Sequence, residues 1–163
     1  MVLLVYVDDI LIIGPSISVV DDLKLYLTSH FQIKDLRLLI YFFGIEVVQS
    51  PKGFFLCQRK YALNILQDCG FTASKPALTP MDANVKLHES TSPVLDDPKA
   101  YQRLIGCLVY LTIKRPDIRY AVSALSQFLA STTEFHLQAA HHIVRYIKRA
   151  PGQGLFYSSN TNL

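Results

Sequence analysis

The sequence predicts an α+β chain: two β-hairpins with one helix between them, followed by a helical half. Three observations carry that expectation. Residues 1–58 hold the densest β-branched and aromatic runs, MVLLVYV, ILII and LLIYFFGIEVV. Residues 71–98 are rich in Pro, Ser, Thr and Asp and read as an extended connector outside the core. From Tyr101 onward, apolar residues recur at three- and four-residue spacing, as one face of a helix requires.

Each element follows from local chemistry. Val2–Val7 and Ile10–Ile13 read as two strands about a tight turn, with Asp8 and Asp9 at its tip. Gly14-Pro15-Ser16 is punctuation, and Ser16 or Ser18 caps a helix reaching about Ser29. Val19, Leu23, Leu27 and, less regularly, Val20 give that helix an apolar face. Phe31–Leu36 reads as a short strand or an irregular turn. Leu38–Val48 is a strand, Ser50–Gly53 a turn, and Phe54–Gln58 the return strand of a second hairpin. Arg59–Cys69 forms a helix closed by Gly70. Tyr101–Ile113 is a further helix. Pro116 opens the next, with Ile118, Ala121, Val122, Leu125, Phe128 and Leu129 inward. The last runs from about Thr133 to Arg149, with Leu137, Ala140, Ile143, Val144 and Ile147 inward. His136, His141 and His142 on it read as surface histidines. The organisation is therefore 1–58, 59–100 and 101–163.

Composition narrows the class. A chain of 163 residues that is 50% hydrophobic holds one domain, or one and part of another, with ample apolar material for a core. Cys57, Cys69 and Cys107 are scattered and odd in number, which suggests a reducing compartment and no disulfide framework or zinc site. The apolar start lacks a basic region and is interrupted by Asp8 and Asp9, so it is a poor signal peptide. No run reaches the ~20 apolar residues of a membrane span. An intracellular protein without membrane contact is expected. Residues 1–58 carry four Lys/Arg against six Asp/Glu, and residues 101–163 carry seven against two. An acidic front and a basic tail suit a polyanion held near bound metal; a solvated basic helical face explains the tail as well.

Asp8 and Asp9 admit two readings. Asp is a good turn residue. Adjacent carboxylates on a rigid hairpin can also hold Mg²⁺, a hard ion that prefers oxygen ligands and keeps water and substrate phosphates in its shell. Spacing alone leaves both open.

Tyr6-Val7-Asp8-Asp9 between apolar strands resembles the YxDD hairpin of reverse transcriptases. The blocks DILIIG, FQIKDL, YFFGIEV, QRKYALNIL, KPALTPMDAN, YQRLIGCLVYLTIKRPDIRYAVSALSQF and RYIKRAPGQGLFYS, in that order, resemble the reverse transcriptase of Ty1/copia-type retrotransposons over nearly the whole chain. The resemblance implies the later part of a polymerase palm in residues 1–58, a short helix and connector in 59–100, and a helical thumb in 101–163. It implies an RNA-directed DNA polymerase using Mg²⁺, deoxynucleoside triphosphates and an RNA/DNA primer–template duplex, with the remainder of a polyprotein as partner.

The resemblance also implies roles. Asp8 and Asp9 match the metal-binding catalytic pair, and Tyr6 packs beside primer or template. Lys34 stands where a general-acid lysine protonates leaving pyrophosphate; an exposed surface lysine is the ordinary alternative. Phe42, Phe43, Gly44, Ile45 and Glu46 match the primer-grip hairpin. Gln102, Gly106 and Tyr110 are four apart, so they share a helical face that follows the duplex minor groove. Arg103, Lys114, Arg115 and Arg119 are candidate phosphate contacts, and Arg115 before Pro116-Asp117 is equally suited to a structural ion pair.

Three departures stand out. Lys34-Asp35-Leu36-Arg37 replaces the family's Lys-Asp-Leu-Gly, Phe42-Phe43-Gly44 replaces Phe-Leu-Gly, and Lys114 replaces Thr before Arg-Pro-Asp. The Arg37 change removes a turn glycine close to Lys34. A third palm carboxylate and the nucleotide-binding fingers lie upstream of this stretch in the family, and RNase H acids lie downstream. The chain alone is therefore expected to be inactive and to bind Mg²⁺ weakly or not at all. The alternatives are a non-catalytic nucleic-acid-binding remnant or a non-functional transposon-derived reading frame.

Overall fold

Six strands and five α-helices make up the computed structural model, which describes residues 1–89 and 92–159. The chain divides into two compact units, Met1–Val48 and the stretch from Gln49 onward. The α+β class is as the sequence predicts.

In the first unit, β1 (Val2–Tyr6) and β2 (Asp9–Ile13) form an antiparallel pair running in register from Val2↔Ile13 to Tyr6↔Asp9. Helix α1 (Ile17–His30) follows, with Ser16 at its N-cap. Its half-buried face is Val20, Leu23, Lys24 and Leu27. Val19 is exposed, contrary to the sequence reading, and Val20 takes its place: seven residues before Leu27, it lies two turns away on the same face. The predicted strand Leu38–Val48 is not continuous. It breaks into β3 (Tyr41–Phe42) and β4 (Ile45–Ser50), which pair through Tyr41↔Glu46 and Phe42↔Ile45. Phe43 and Gly44 form the turn, with φ of 54° and 74°. Two consecutive positive φ values are the I′ hairpin pattern, whose hand matches strand twist, and Gly44 supplies the second at no steric cost.

The second unit contains the hydrophobic core. Strand β5 (Gly53–Cys57) follows the predicted turn and leads to α2 (Arg59–Asp68). Gly70, with φ 72°, ends α2 as expected: its N–H donates to Gln67 O at 2.9 Å and the Phe71 N–H donates to Leu66 O at 2.8 Å. That pair of bonds is a Schellman cap. Helices α3 (Lys99–Leu111), α4 (Arg119–Ser126) and α5 (Glu134–Arg149) then pack with α2 around Ile65, Tyr101, Leu108, Leu125, Ile143 and Ile147. Pro116–Ile118 is a 3₁₀ turn leading into α4, so Phe128 and Leu129 lie past the helix end, half-buried against the core.

Three sequence expectations are corrected here. The connector contributes to the core: Leu87 is buried, and Phe71, Met81, Val85 and Leu95 pack against it. It is held along α5 by backbone groups, with the Ala77 N–H donating to Arg145 O at 3.1 Å and the His142 Nε2–H donating to Thr79 O at 2.9 Å. Residues 150–159 are not helical. Gly154–Ser158 is a sixth strand, β6, antiparallel to β5 from Gly53↔Ser158 to Cys57↔Gly154. Its partner lies about a hundred residues earlier, beyond any local pattern. Residues 160–163, the end of the predicted helical region, lie outside the described residues.

The third correction concerns His136, which is buried, not on the surface. Its Nδ1 accepts the Thr133 N–H at 3.1 Å, closing a capping box, and its Nε2–H donates to Leu87 O at 3.1 Å. A carbonyl can only accept, so those partners fix the Nε2–H tautomer. His141 and His142 are half-buried. Among the described residues no helix is long and apolar enough to cross a membrane.

Candidate functional site

Two candidate surfaces emerge, one in each unit. In the first unit the turn between β1 and β2 is Val7-Asp8, since Tyr6↔Asp9 is the last ladder pair. The two carboxylates therefore do not share the tip, as the sequence reading had it. Asp8 sits in the turn, and Asp9 opens β2. The ladder fixes Asp9, and the two-residue turn fixes Asp8 next to it. Val7 has φ 48°. A positive φ at the first central position alone matches the II′ pattern, in which Gly is normal. A β-branched side chain there costs about 1–2 kcal/mol.

Asp8 and Asp9 are exposed, and their side chains have no hydrogen-bond or ion-pair partner among the described residues. Two adjacent unpartnered carboxylates on a paired hairpin fit a hard divalent cation as two of its oxygen ligands. Among the described residues no group of three or more His, Cys, Asp or Glu side chains is gathered for a metal. The remaining ligands would come from water or substrate.

The structure brings Tyr6 and Phe43 together. Their ring centroids are 4.1 Å apart at 82°, an edge-to-face contact. Phe42 lies 6.5 Å from Phe43, and Ile45 follows the Phe43-Gly44 turn. Five of the predicted primer-contact residues thus fall at two hairpin ends joined by one ring pair.

Lys34 is exposed in the irregular stretch after α1 and has no side-chain partner among the described residues. Its neighbour Asp35 is engaged instead. The Arg37 N–H donates to Asp35 Oδ1 at 2.7 Å, and Lys24 Nζ lies 3.2 Å from Asp35 Oδ2. Those two contacts, the backbone one first, hold the Asp35 carboxyl below its ordinary range, and Asp35 raises the Lys24 ammonium above its own. Arg37 has φ 66°, a left-handed conformation at the position where the resemblance expects Gly.

The second surface is on α3. Gln102, Gly106 and Val109 are exposed along one face, continued by Ile113 just past the helix end, with Tyr110 half-buried beside them. A Cβ built on Gly106 would meet nothing within 4 Å, so the helix backbone is open there. Gln102 Nε2 donates to Leu129 O at 3.0 Å, and Tyr110 packs edge-on against Tyr61 at 5.0 Å. Val109 and Ile113 were not singled out from the sequence; outward apolar residues at i+3 and i+7 from Gly106 were the available signal.

The basic candidates divide. Arg103 is exposed, 3.7 Å from Asp68. Arg119 is exposed and Lys114 half-buried. Arg115 is 1% exposed and turned inward. Its guanidinium makes a forked contact with Asp117 at 2.8–3.2 Å, donates to Ala150 O at 2.9 Å, and lies 5.7 Å from the Tyr146 ring centroid. Burial pushes Asp117 up, but hydrogen bonds and charge from Arg115 bring it below the ordinary range. Of its two readings, the geometry matches the structural ion pair. On α5, Lys148 donates to Ser74 O, so part of the basic tail is occupied holding the connector.

A family described as reverse transcriptase (RNA-dependent DNA polymerase) matches residues 1–83. The Retrovirus-related Pol polyprotein from transposon RE1 of Arabidopsis thaliana is 42% identical over 161 residues, covering 99% of this chain and 11% of that polyprotein. An uncharacterized mitochondrial protein of the same plant is 39% identical over 164 residues, covering 100% of this chain and 68% of the relative. The Retrovirus-related Pol polyprotein from transposon TNT 1-94 of Nicotiana tabacum is 30% identical over 168 residues, covering 98% of this chain and 13% of that polyprotein. The chain thus spans about a tenth of the polyproteins it matches. No solved structure matches it.

Proposed function

The chain belongs to the reverse transcriptase (RNA-dependent DNA polymerase) family, and from that premise we propose that it supplies the Asp8–Asp9 metal hairpin, the primer-positioning turn and a duplex-contacting helix of a retrotransposon polymerase. The observation that carries this reading is the pair of exposed, unpartnered carboxylates on a strained hairpin whose Tyr6 touches the Phe43 turn.

The parent reaction joins the primer 3′ oxygen to the α-phosphorus of a deoxynucleoside triphosphate and releases pyrophosphate. Asp8 and Asp9 would hold Mg²⁺, which when bound would supply charge stabilisation to the phosphoryl group. Tyr6, Phe42, Phe43, Gly44 and Ile45 pack against the primer end and keep it from swinging. Lys34 gives a proton to the departing pyrophosphate oxygen. Along α3, the bare backbone at Gly106 admits close approach of a sugar edge, Gln102 and Tyr110 flank it, and Arg103, Lys114 and Arg119 meet phosphates. Arg115 is left out of that set, because its guanidinium is enclosed.

The test is binding of a labelled RNA–DNA primer–template duplex to this chain across a salt series, with and without Mg²⁺. Binding should weaken steeply with salt, tighten with Mg²⁺, and lose only the Mg²⁺ gain in Asp8→Asn. Binding indifferent to both Mg²⁺ and Asp8→Asn would leave the second reading, a non-catalytic nucleic-acid binder using the α3 face. No binding at low salt would overturn both.

A further inference from the structure

We propose that Phe43 is a positioning residue whose ring, set edge-on against Tyr6, locks the Asp8–Asp9 hairpin to the Phe43-Gly44 turn so that the two move as one body. The inference deepens the reading above and rests on it for the role of Asp8 and Asp9. Its own footing is geometric.

Both turns hold a side chain in the left-handed region that does not favour it, Val7 at φ 48° and Phe43 at φ 54°. Such conformations persist where surrounding structure over-determines them. Each turn is tied by a two-residue loop to its own ladder, ending at Tyr6↔Asp9 in one and Phe42↔Ile45 in the other. The ladders fix each turn internally but not relative to the other. The Tyr6–Phe43 contact, 4.1 Å between centroids at 82°, joins those two turns. Tyr6 precedes strained Val7 directly and faces Asp9 across the ladder, so a rotation of the tip that swings Asp8 or Asp9 must also turn the Tyr6 ring. Edge-to-face is a favoured aromatic arrangement, and Phe43 resists a rotation that breaks it. Both residues are about half exposed, at 49% and 42%, so the pair geometry adds to a partial burial of each ring.

The test compares the wild-type chain with Phe43→Leu, Tyr6→Leu and the double variant. Leucine keeps the Cβ, and with it the backbone strain, and removes the ring. In Phe43→Leu, amide hydrogen exchange at Asp8 and Asp9 should rise about two- to tenfold, the population change an edge-to-face pair commands. Tyr6→Leu should do the same, and the double variant should add nothing to either single change. The Mg²⁺-dependent gain in primer–template affinity should fall by a similar factor, while the far-ultraviolet circular dichroism stays as in the wild type. Loss of ring–primer contact alone would lower affinity with and without Mg²⁺ alike and leave the ratio of the two, the Mg²⁺ gain, as in the wild type. Unchanged exchange at Asp8 and Asp9 in Phe43→Leu, or additive effects in the double variant, overturns the proposal. A wild-type chain without any Mg²⁺ gain overturns the reading of Asp8 and Asp9 instead, and the exchange data still decide the coupling.

Discussion

Among residues 1–48 a single side chain, Val47, is buried, although this stretch holds the most apolar runs in the sequence. From Gln49 onward a continuous core extends from Ala62 to Ile147, with ten or more side chains at 2% exposure or less. The difference teaches that apolar content and burial are separate properties. The first unit keeps its shape by local devices: two short ladders, two two-residue turns, the Tyr6–Phe43 ring pair and the Lys24–Asp35 tether. The second keeps its shape by removing Leu108, Leu125, Ile143 and their neighbours from water, each contributing about 1.5–3 kcal/mol. The candidate chemistry sits in the unit with the weaker scaffold, and the exposed apolar faces of β1 and β2 are surface of the kind that marks interaction sites.

The largest test of that contrast is a matched pair of truncations. Leu108 is fully buried on α3, and Leu108→Ala should cost about 2–5 kcal/mol in urea unfolding of the second unit. Leu4, 47% exposed on β1, loses little contact on truncation, and Leu4→Ala should change stability by less than about 0.5 kcal/mol. A Leu4→Ala cost approaching that of Leu108→Ala would mean that β1 has a buried face in solution, and the comparison would fail.

How much of this was legible in the sequence depends on the range of the interaction responsible. The caps and turns were readable because they are written locally. Gly70 ends α2, Pro116 opens the turn into α4, and the 3–4 spacing of Ala121, Val122 and Leu125 marks their inward face. The split at Phe43-Gly44 was hidden by the strong β preference of LLIYFFGIEVV, in which one glycine is the only punctuation. Strand β6 and the buried His136 were hidden because their partners, β5 and Leu87, are remote in sequence. At the candidate site the motif identified Asp8, Asp9 and Tyr6. It could not show that Asp9 belongs to the ladder, that Phe43 meets Tyr6, or that Arg115 faces inward, since each depends on a φ angle or on packing.

A smaller effect sharpens the local half of the comparison. Arg37 stands at φ 66° beside the Asp35 turn, where any side chain with a Cβ is strained. Arg37→Gly removes that strain at some cost in unfolded-state entropy, and the first unit should gain up to about 1 kcal/mol. Amide exchange across α1 and residues 31–40 reads the gain locally. A loss of protection there would mean that the arginine side chain supplies a contact outweighing its backbone cost.

The smallest effect is the pH dependence of the Lys24–Asp35 tether, which joins α1 to the loop carrying Lys34. Asp35 has its folded-state value below the ordinary 3.8, chiefly through the Arg37 N–H and then through Lys24. A depressed carboxyl contributes stability that is present above the ordinary value and lost as pH falls through the folded one. Lys24 is raised above the ordinary 10.5, chiefly by its hydrogen bond to Asp35, so its share is complete below that value and lost as pH rises through the folded one. The tether should therefore be whole across the neutral range and loosen at both ends. Both groups are solvent-accessible, so salt screens their charge attraction and the backbone bond to Arg37 carries most of the acid-side effect. The Arg37 amide shift should titrate with a midpoint below 3.8, and Asp35→Asn should abolish that titration. A midpoint at or above 3.8 would show that neither the Arg37 N–H nor Lys24 engages Asp35 in solution, leaving the Lys34 loop without its anchor to α1.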